Sequence, residues 1–174
     1  EGGFTGVVTQ MLDMFPDRPI ADMPDGAHLD LRPLYPFHET RHIEHRPGQW
    51  HGSNHAPAHI PTHFGGVRRR IFGTDNGLTK VSLFFNGGGL VPFHHWHSTR
   101  GARIADFSVA LLHYPFDRGY RDRVLEAAAN NRHGWVPGDE YHAYAAVMRE
   151  NPGLSLMSEA ARLYRGPEQL GAEG

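Results

Sequence analysis

The sequence predicts an α/β domain with strands and loops first and helices last, and three observations carry that expectation. Apolar, β-branched runs occupy residues 4–15, 79–85 and 102–114, the texture of buried strands. From residue 119 onward the apolar residues fall at helical spacing instead. Between the first two strands, residues 28–66 hold five prolines and eight of the fourteen histidines with no persistent period. A Pro/His-rich loop region is expected there, and long loops in compact domains are usually functional or disordered.

Each element has its own reason. Residues 4–15 (FTGVVTQMLDMF) form a strand stopped by Pro16, because proline removes a ladder donor. Residues 17–27 read as a loop. Short strands are expected at 42–45 and 59–64, and residues 67–72 form a short helix or strand between Gly65-Gly66 and Gly73. Residues 79–85 are a strand closed by the Gly87-Gly88-Gly89 turn. Residues 102–114 are the strongest strand, ended by Pro115. Tyr120, Val124, Ala127 and Ala128 then mark one helix within 119–131. Gly138-Asp139 caps another, with Tyr141, Tyr144, Ala145 and Met148 on one stripe. A helical turn is expected at 158–163. The 174 residues suit a single domain with a small core.

Composition narrows function. Hydrophobic residues make up 39% and mean hydropathy is −0.51. Net charge is −2, without the basic excess a nucleic-acid binder shows. The absence of cysteine excludes disulfides and thiolate chemistry and fits a reducing, cytoplasmic compartment. No run approaches the ~20 apolar residues of a membrane helix. The chain opens on Glu1-Gly2-Gly3 rather than Met, so it is expected to continue upstream in its parent or to have lost a leader.

Histidine is the compositional outlier. In Phe93-His94-His95-Trp96-His97, strand alternation would turn His95 and His97 to one face, where imidazoles bind zinc or manganese. A cupin-like protein or a metal hydrolase uses such a pair. An exposed aromatic loop has the same sequence, and both readings stay open. His51, His55, His59 and His63 repeat every four residues, but Pro57 and Pro61 break a helix there, which leaves a polar loop. His113 closes the apolar run of residues 109–112. It sits where ligands gather, beyond a strand's carboxyl end, or it is a core histidine bonded to a carbonyl. Nucleophile-elbow, P-loop and dinucleotide fingerprints are missing from the sequence.

An ordered series of motifs adds a family. Leu12-Asp13-Met14-Phe15, the segment GGVRRRIFG at 65–73, GLTKVSLFF at 77–85, RIADFSVALLHYPF at 103–116, Tyr141 with Tyr144, Asn151-Pro152 with Leu154, and the terminal YRGPEQL follow one another along most of the chain. Together they resemble the C-terminal portion of bacterial family 2 glycosyltransferase-like proteins. The resemblance implies a partial GT-A-like mixed sheet with long loops and C-terminal helices. It implies a nucleotide-sugar donor, a glycan or related acceptor, and a divalent metal, Mn or Mg, held by an Asp-x-Asp motif. This sequence contains no Asp-x-Asp, so the donor half is expected before Glu1.

Roles follow from the resemblance. His113 would complete the metal shell; His95 and His97 are a metal pair, with Zn possible, on the strand-alternation reading instead, since the family has fewer histidines in that stretch. Asp106 would be the carboxylate that deprotonates the acceptor. Arg68, Arg70, Lys80 and His94 would contact substrate. Two other readings stand beside this one. One is an inactive binding or structural module of the same fold, docked on a larger assembly. The other is the histidine-dependent metal hydrolase or cupin-like protein.

Overall fold

The computed structural model describes residues 3–25, 29–47, 57, 59–85, 91–93, 98–100, 102–131 and 140–173. The fold has mixed α/β content, and its helices concentrate toward the C-terminus. The principal sheet has the order β5-β1-β8, from β1 (Gly6–Asp13), β5 (Thr79–Phe84) and β8 (Ile104–His113). β1 and β5 are antiparallel, with Gly6 opposite Phe84 and Gln10 opposite Thr79. β8 runs parallel to β1, because Thr5 N donates to Arg103 O and Met14 N donates to His113 O. The sheet is therefore mixed, and β1 and β8 bring their carboxyl ends out side by side.

The remaining strands form pairs. They are β2 (Phe37–His38) with β9 (Arg162–Leu163), β3 (Ile43–Arg46) with β4 (Thr62–Gly65), and β6 (Val91–Phe93) with β7 (Ser98–Arg100). The described helices are α1 (Leu31–Leu34), α2 (Val67–Phe72), α3 (Tyr120–Ala129), α4 (Glu140–Glu150) and α5 (Pro167–Glu173), with a single 3-10 turn at Ile20–Asp22.

The chain divides into two compact units, each assembled from three separate segments. The first comprises Glu1–Leu12, Ile43–Phe64 and Gly77–Leu111, and Val8, Ile60, Val81 and Ile104 form its small core. His45 and His63 stack there with ring centroids 4.3 Å apart. Burial, with the nearby His45, pushes the His63 pKa down to about 4.

The second unit comprises Asp13–His42, Gly65–Asn76 and Leu112–Gly174. Its core gathers Phe15, Phe72, Phe116, Tyr120, Val124, Tyr144, Ala145, Met148 and Leu156. The α3 and α4 stripes expected from spacing meet in that core, as Val124 and Ala128 against Ala145 and Met148. Each large apolar side chain buried in this way contributes ~1.5–3 kcal/mol.

Two expectations change. Residues 158–163 are not a helical turn. Ser158 Oγ accepts from Ala160 N, and Ala161 N donates to Ser158 O, which closes a short turn. The chain then pairs as β9 with β2, Phe37 opposite Leu163, and serine's local bonding is the reason the helix does not form. The loop region also holds α1 and β2, which were not expected, beside β3 and β4 near the two expected strand positions.

Candidate functional site

At the adjacent ends of β1 and β8, Asp13, Arg68 and His113 converge within the second unit. Asp13 closes β1 after the apolar pair Met11-Leu12, and its side chain is 4% exposed. A carboxylate cannot stay charged there without partners. Arg68 supplies two: Nε donates to Oδ2 at 2.7 Å, and Nη2 donates to Oδ1 at 2.8 Å. His113 Nδ1 is 2.6 Å from Asp13 Oδ1. Burial acts to raise the Asp13 pKa, but the Arg68 charge and the hydrogen bonds from His113 and Arg68 outweigh it and hold the carboxyl below its usual range.

The tautomer of His113 follows from these distances. Arg68 Nη2 also approaches His113 Nδ1, at 3.1 Å, but one ring nitrogen cannot both donate to Asp13 and accept from Arg68. The carboxylate contact is shorter, so the geometry assigns the proton to Nδ1. Nε2 has no hydrogen-bond partner among the described residues, and the side chain is about one-third exposed (34%). An imidazole fixed through one nitrogen by a carboxylate, with the other nitrogen open, is the arrangement that orients a metal ligand or a proton acceptor.

Helix α2 carries Arg68 into this position, and the glycines before it set its start. Gly65 has φ +89° and Gly66 has φ +66°, ψ −150°, backbone regions that side chains resist. A Cβ on Gly65 would lie 2.9 Å from the His42 carbonyl oxygen. Gly66 N donates to that same oxygen.

A second ion cluster uses the next-but-one residue of α2. Glu39 has a side chain with 0% exposure and accepts from Arg70 Nε at 2.7 Å and from Ser158 Oγ at 3.1 Å. Its other oxygen meets His42 Nδ1. Arg70 Nη2 donates to Leu156 O.

Tyr144 and Tyr120 stand beside Arg68. Burial raises the Tyr144 pKa to about 12, against the lowering pull of the Arg68 charge, and burial also raises that of Tyr120. Tyr144 Oη donates to Asn76 Oδ1 at 2.8 Å, and Thr74 Oγ1 donates to the same oxygen. Asn76 Nδ2 donates to Glu140.

The residues singled out from sequence are distributed unevenly over this arrangement. His113 and Arg68 belong to the first cluster and Arg70 to the second. Both guanidinium groups are engaged inside the fold rather than presented to solvent. Lys80 lies on β5, where its carbonyl accepts from Thr9 Oγ1. Asp106 is exposed on β8 in the first unit, and its carbonyl oxygen lies 2.7 Å from His59 Nε2. It stands an odd number of positions from His113, on the opposite face of the strand. His94, His95, His97 and the Gly87-Gly88-Gly89 turn lie outside the described residues.

Sequence reasoning missed Asp13 and Glu39 as site residues. A charged residue directly after the apolar pair Met11-Leu12 was the available signal for Asp13. For a divalent metal, the described residues contain no group of three His, Asp or Glu able to hold one. His113 Nε2 is a single fitting ligand, because Arg68 already occupies both Asp13 oxygens. No helix among the described residues is long and apolar enough to cross a membrane. No family model, curated protein or solved structure matches the chain.

Proposed function

We propose that this chain is the acceptor-side portion of a family 2 type glycosyltransferase, which moves a sugar from a nucleotide-sugar donor to a glycan or related acceptor. One observation carries the reading. Three motifs far apart in sequence each contribute one residue to a single cluster: Leu12-Asp13-Met14-Phe15 gives Asp13, the GGVRRRIFG segment gives Arg68, and the LLHYPF segment gives His113. A resemblance that was only an order of motifs thus corresponds to side chains in contact.

In this reading Asp13 fixes the His113 ring and holds the proton on Nδ1, while Arg68 keeps Asp13 ionised. His113 then presents Nε2 as the ligand or proton acceptor on the acceptor side. A bound divalent metal would supply charge neutralisation for the leaving diphosphate, and His113 is the described residue that would contribute to holding it. The test is calorimetry of the full-length protein that carries this chain, with a panel of nucleotide sugars and Mn²⁺. Saturable heat with at least one donor, reduced in His113→Ala, is expected. A folded protein that gives no heat with any nucleotide sugar overturns the transferase reading.

A second reading, an inactive module of the same ancestry, is favoured by one fact. Arg68 and Arg70, the cations that would meet phosphate, are already paired with buried carboxylates. The same titration separates the two, since the module predicts no heat and an unchanged fold.

A further inference from the structure

We propose that the cleft at the Tyr35–Tyr114 pair seats the sugar ring of a neutral glycan; calling that glycan the acceptor rests on the transferase reading. The cleft, about 350 Å³, lies in the second unit and is lined by Tyr35, Tyr114, Leu31, Asp25, Asp117 and Arg118, among others. That volume falls at the lower end of the ~300–1,000 Å³ typical of small-molecule sites. Tyr114 directly follows His113, so the cleft begins one residue beyond the open imidazole at the end of β8.

The lining chooses the ligand class. The two phenol rings meet edge to face at 6.1 Å, and neither hydroxyl has a hydrogen-bond partner among the described residues. Asp25 meets Arg118 across an exposed 3.4 Å ion pair, which is weak and easily exchanged for other partners. Asp117 holds Arg123 at 2.9 Å. A sugar ring needs both kinds of surface: a wall for its C–H face, which the partly exposed Tyr114 and the exposed Leu31 supply because Tyr35 is itself buried, and carboxylate and phenol oxygens for its hydroxyls. Charge excludes the neighbouring classes. An anionic ligand would find Arg118, the one lining guanidinium, already paired with Asp25, and Asp117 balanced by Arg123, so it would have to displace a carboxylate to gain a counter-charge. A purely apolar ligand would bury the phenols and the Asp25–Arg118 pair without replacing their water.

Saturation-transfer NMR on the whole chain tests this, with methyl α-mannoside and methyl β-glucoside as probes and methyl β-glucuronide as the anionic counterpart. Nucleotide sugar and metal are left out. At least one neutral glycoside should receive saturation at millimolar concentration, with the glucuronide about tenfold weaker. Tyr114→Ala should weaken the neutral probe about tenfold or more, and Asp25→Asn, an exposed change that leaves the fold intact, about threefold. Absence of transfer to both neutral glycosides, equal binding of the glucuronide, or undiminished binding in both variants overturns the inference. A protein that binds glycosides here but no nucleotide sugar keeps this inference and loses the transferase reading. The converse result removes only this one.

Discussion

Arg68 and Arg70, two residues apart on α2, end on two different buried carboxylates, Asp13 and Glu39. Two positions on an α-helix are separated by about 200°, so the pair projects from nearly opposite sides of one short helix. A six-residue helix has little stability of its own. Its position is set by Val67 and Phe72 in the core and by these two ion clusters.

Breaking the first cluster from one side should be costly. Asp13→Asn and Arg68→Met should each lose ~3–5 kcal/mol, because each leaves the other group buried without its counter-charge. The double variant Asp13→Asn/Arg68→Met should lose clearly less than the sum, since it removes both desolvated charges. Urea unfolding of the four proteins closes the cycle. Additive losses would show that the two residues act independently.

Acid should destabilise the protein in two windows. The folded His63 pKa, about 4, lies below its ordinary 6.5, so between those values the unfolded chain takes up a proton that the folded chain refuses. Stability therefore falls as pH drops from about 6.5 to about 4. Asp13 is also lowered from its ordinary 3.8. Its contribution is complete above that value and is lost as pH falls through the folded value. Urea midpoints against pH should flatten in the upper window for His63→Gln and in the lower window for Asp13→Asn. If His63→Gln keeps the wild-type slope above pH 4, the assignment of that window is wrong.

Glycine at 65 should matter more than glycine at 73. Both have positive φ, but a Cβ at Gly65 meets the His42 carbonyl, whereas one at Gly73 meets open space. Gly73→Ala should cost ~1 kcal/mol from backbone strain alone. Gly65→Ala should cost ~3 kcal/mol or more, since the clash adds to the strain. Thermal unfolding ranks them, and equal losses would remove the argument from the carbonyl contact.

Tyr144 should lose a measurable bond without losing its packing. Tyr144→Phe removes the donor to Asn76 Oδ1 and should cost ~1 kcal/mol. Ultraviolet titration of the folded protein should show one phenol fewer ionising near pH 12. An unchanged titration curve would contradict the assigned environment.

The elements whose signal is local were legible from the sequence. The apolar runs of β1, β5 and β8 and the stripes of α3 and α4 follow from side-chain periodicity, and they lie within a residue or two of expectation at most ends. The charged clusters were not legible, because their partners are distant in sequence: Asp13 and Arg68 are 55 residues apart, and Glu39 and Ser158 are 119 apart. Nothing in a local window marks Arg68 as a partner of a strand carboxylate rather than a solvent-facing cation. Within residues 28–66 the expected short strands appear as β3 and β4, whereas β2 stayed hidden for a related reason, since it is two residues long and is held by its pairing with β9.

The parallel pairing of β1 with β8 also sets a schedule for synthesis and folding. Arg68 follows Asp13 by 55 residues, but the imidazole partner follows one hundred residues later. Such non-local contacts carry a large loop-closure cost and slow the search for the native state. Until β8 emerges, Asp13 can have Arg68 as its counter-charge but lacks both the imidazole and the parallel neighbouring strand. The second unit cannot close before Leu112–Gly174 is available, so β1 presents an open strand edge until β8 is made, the state in which chaperone binding and aggregation compete.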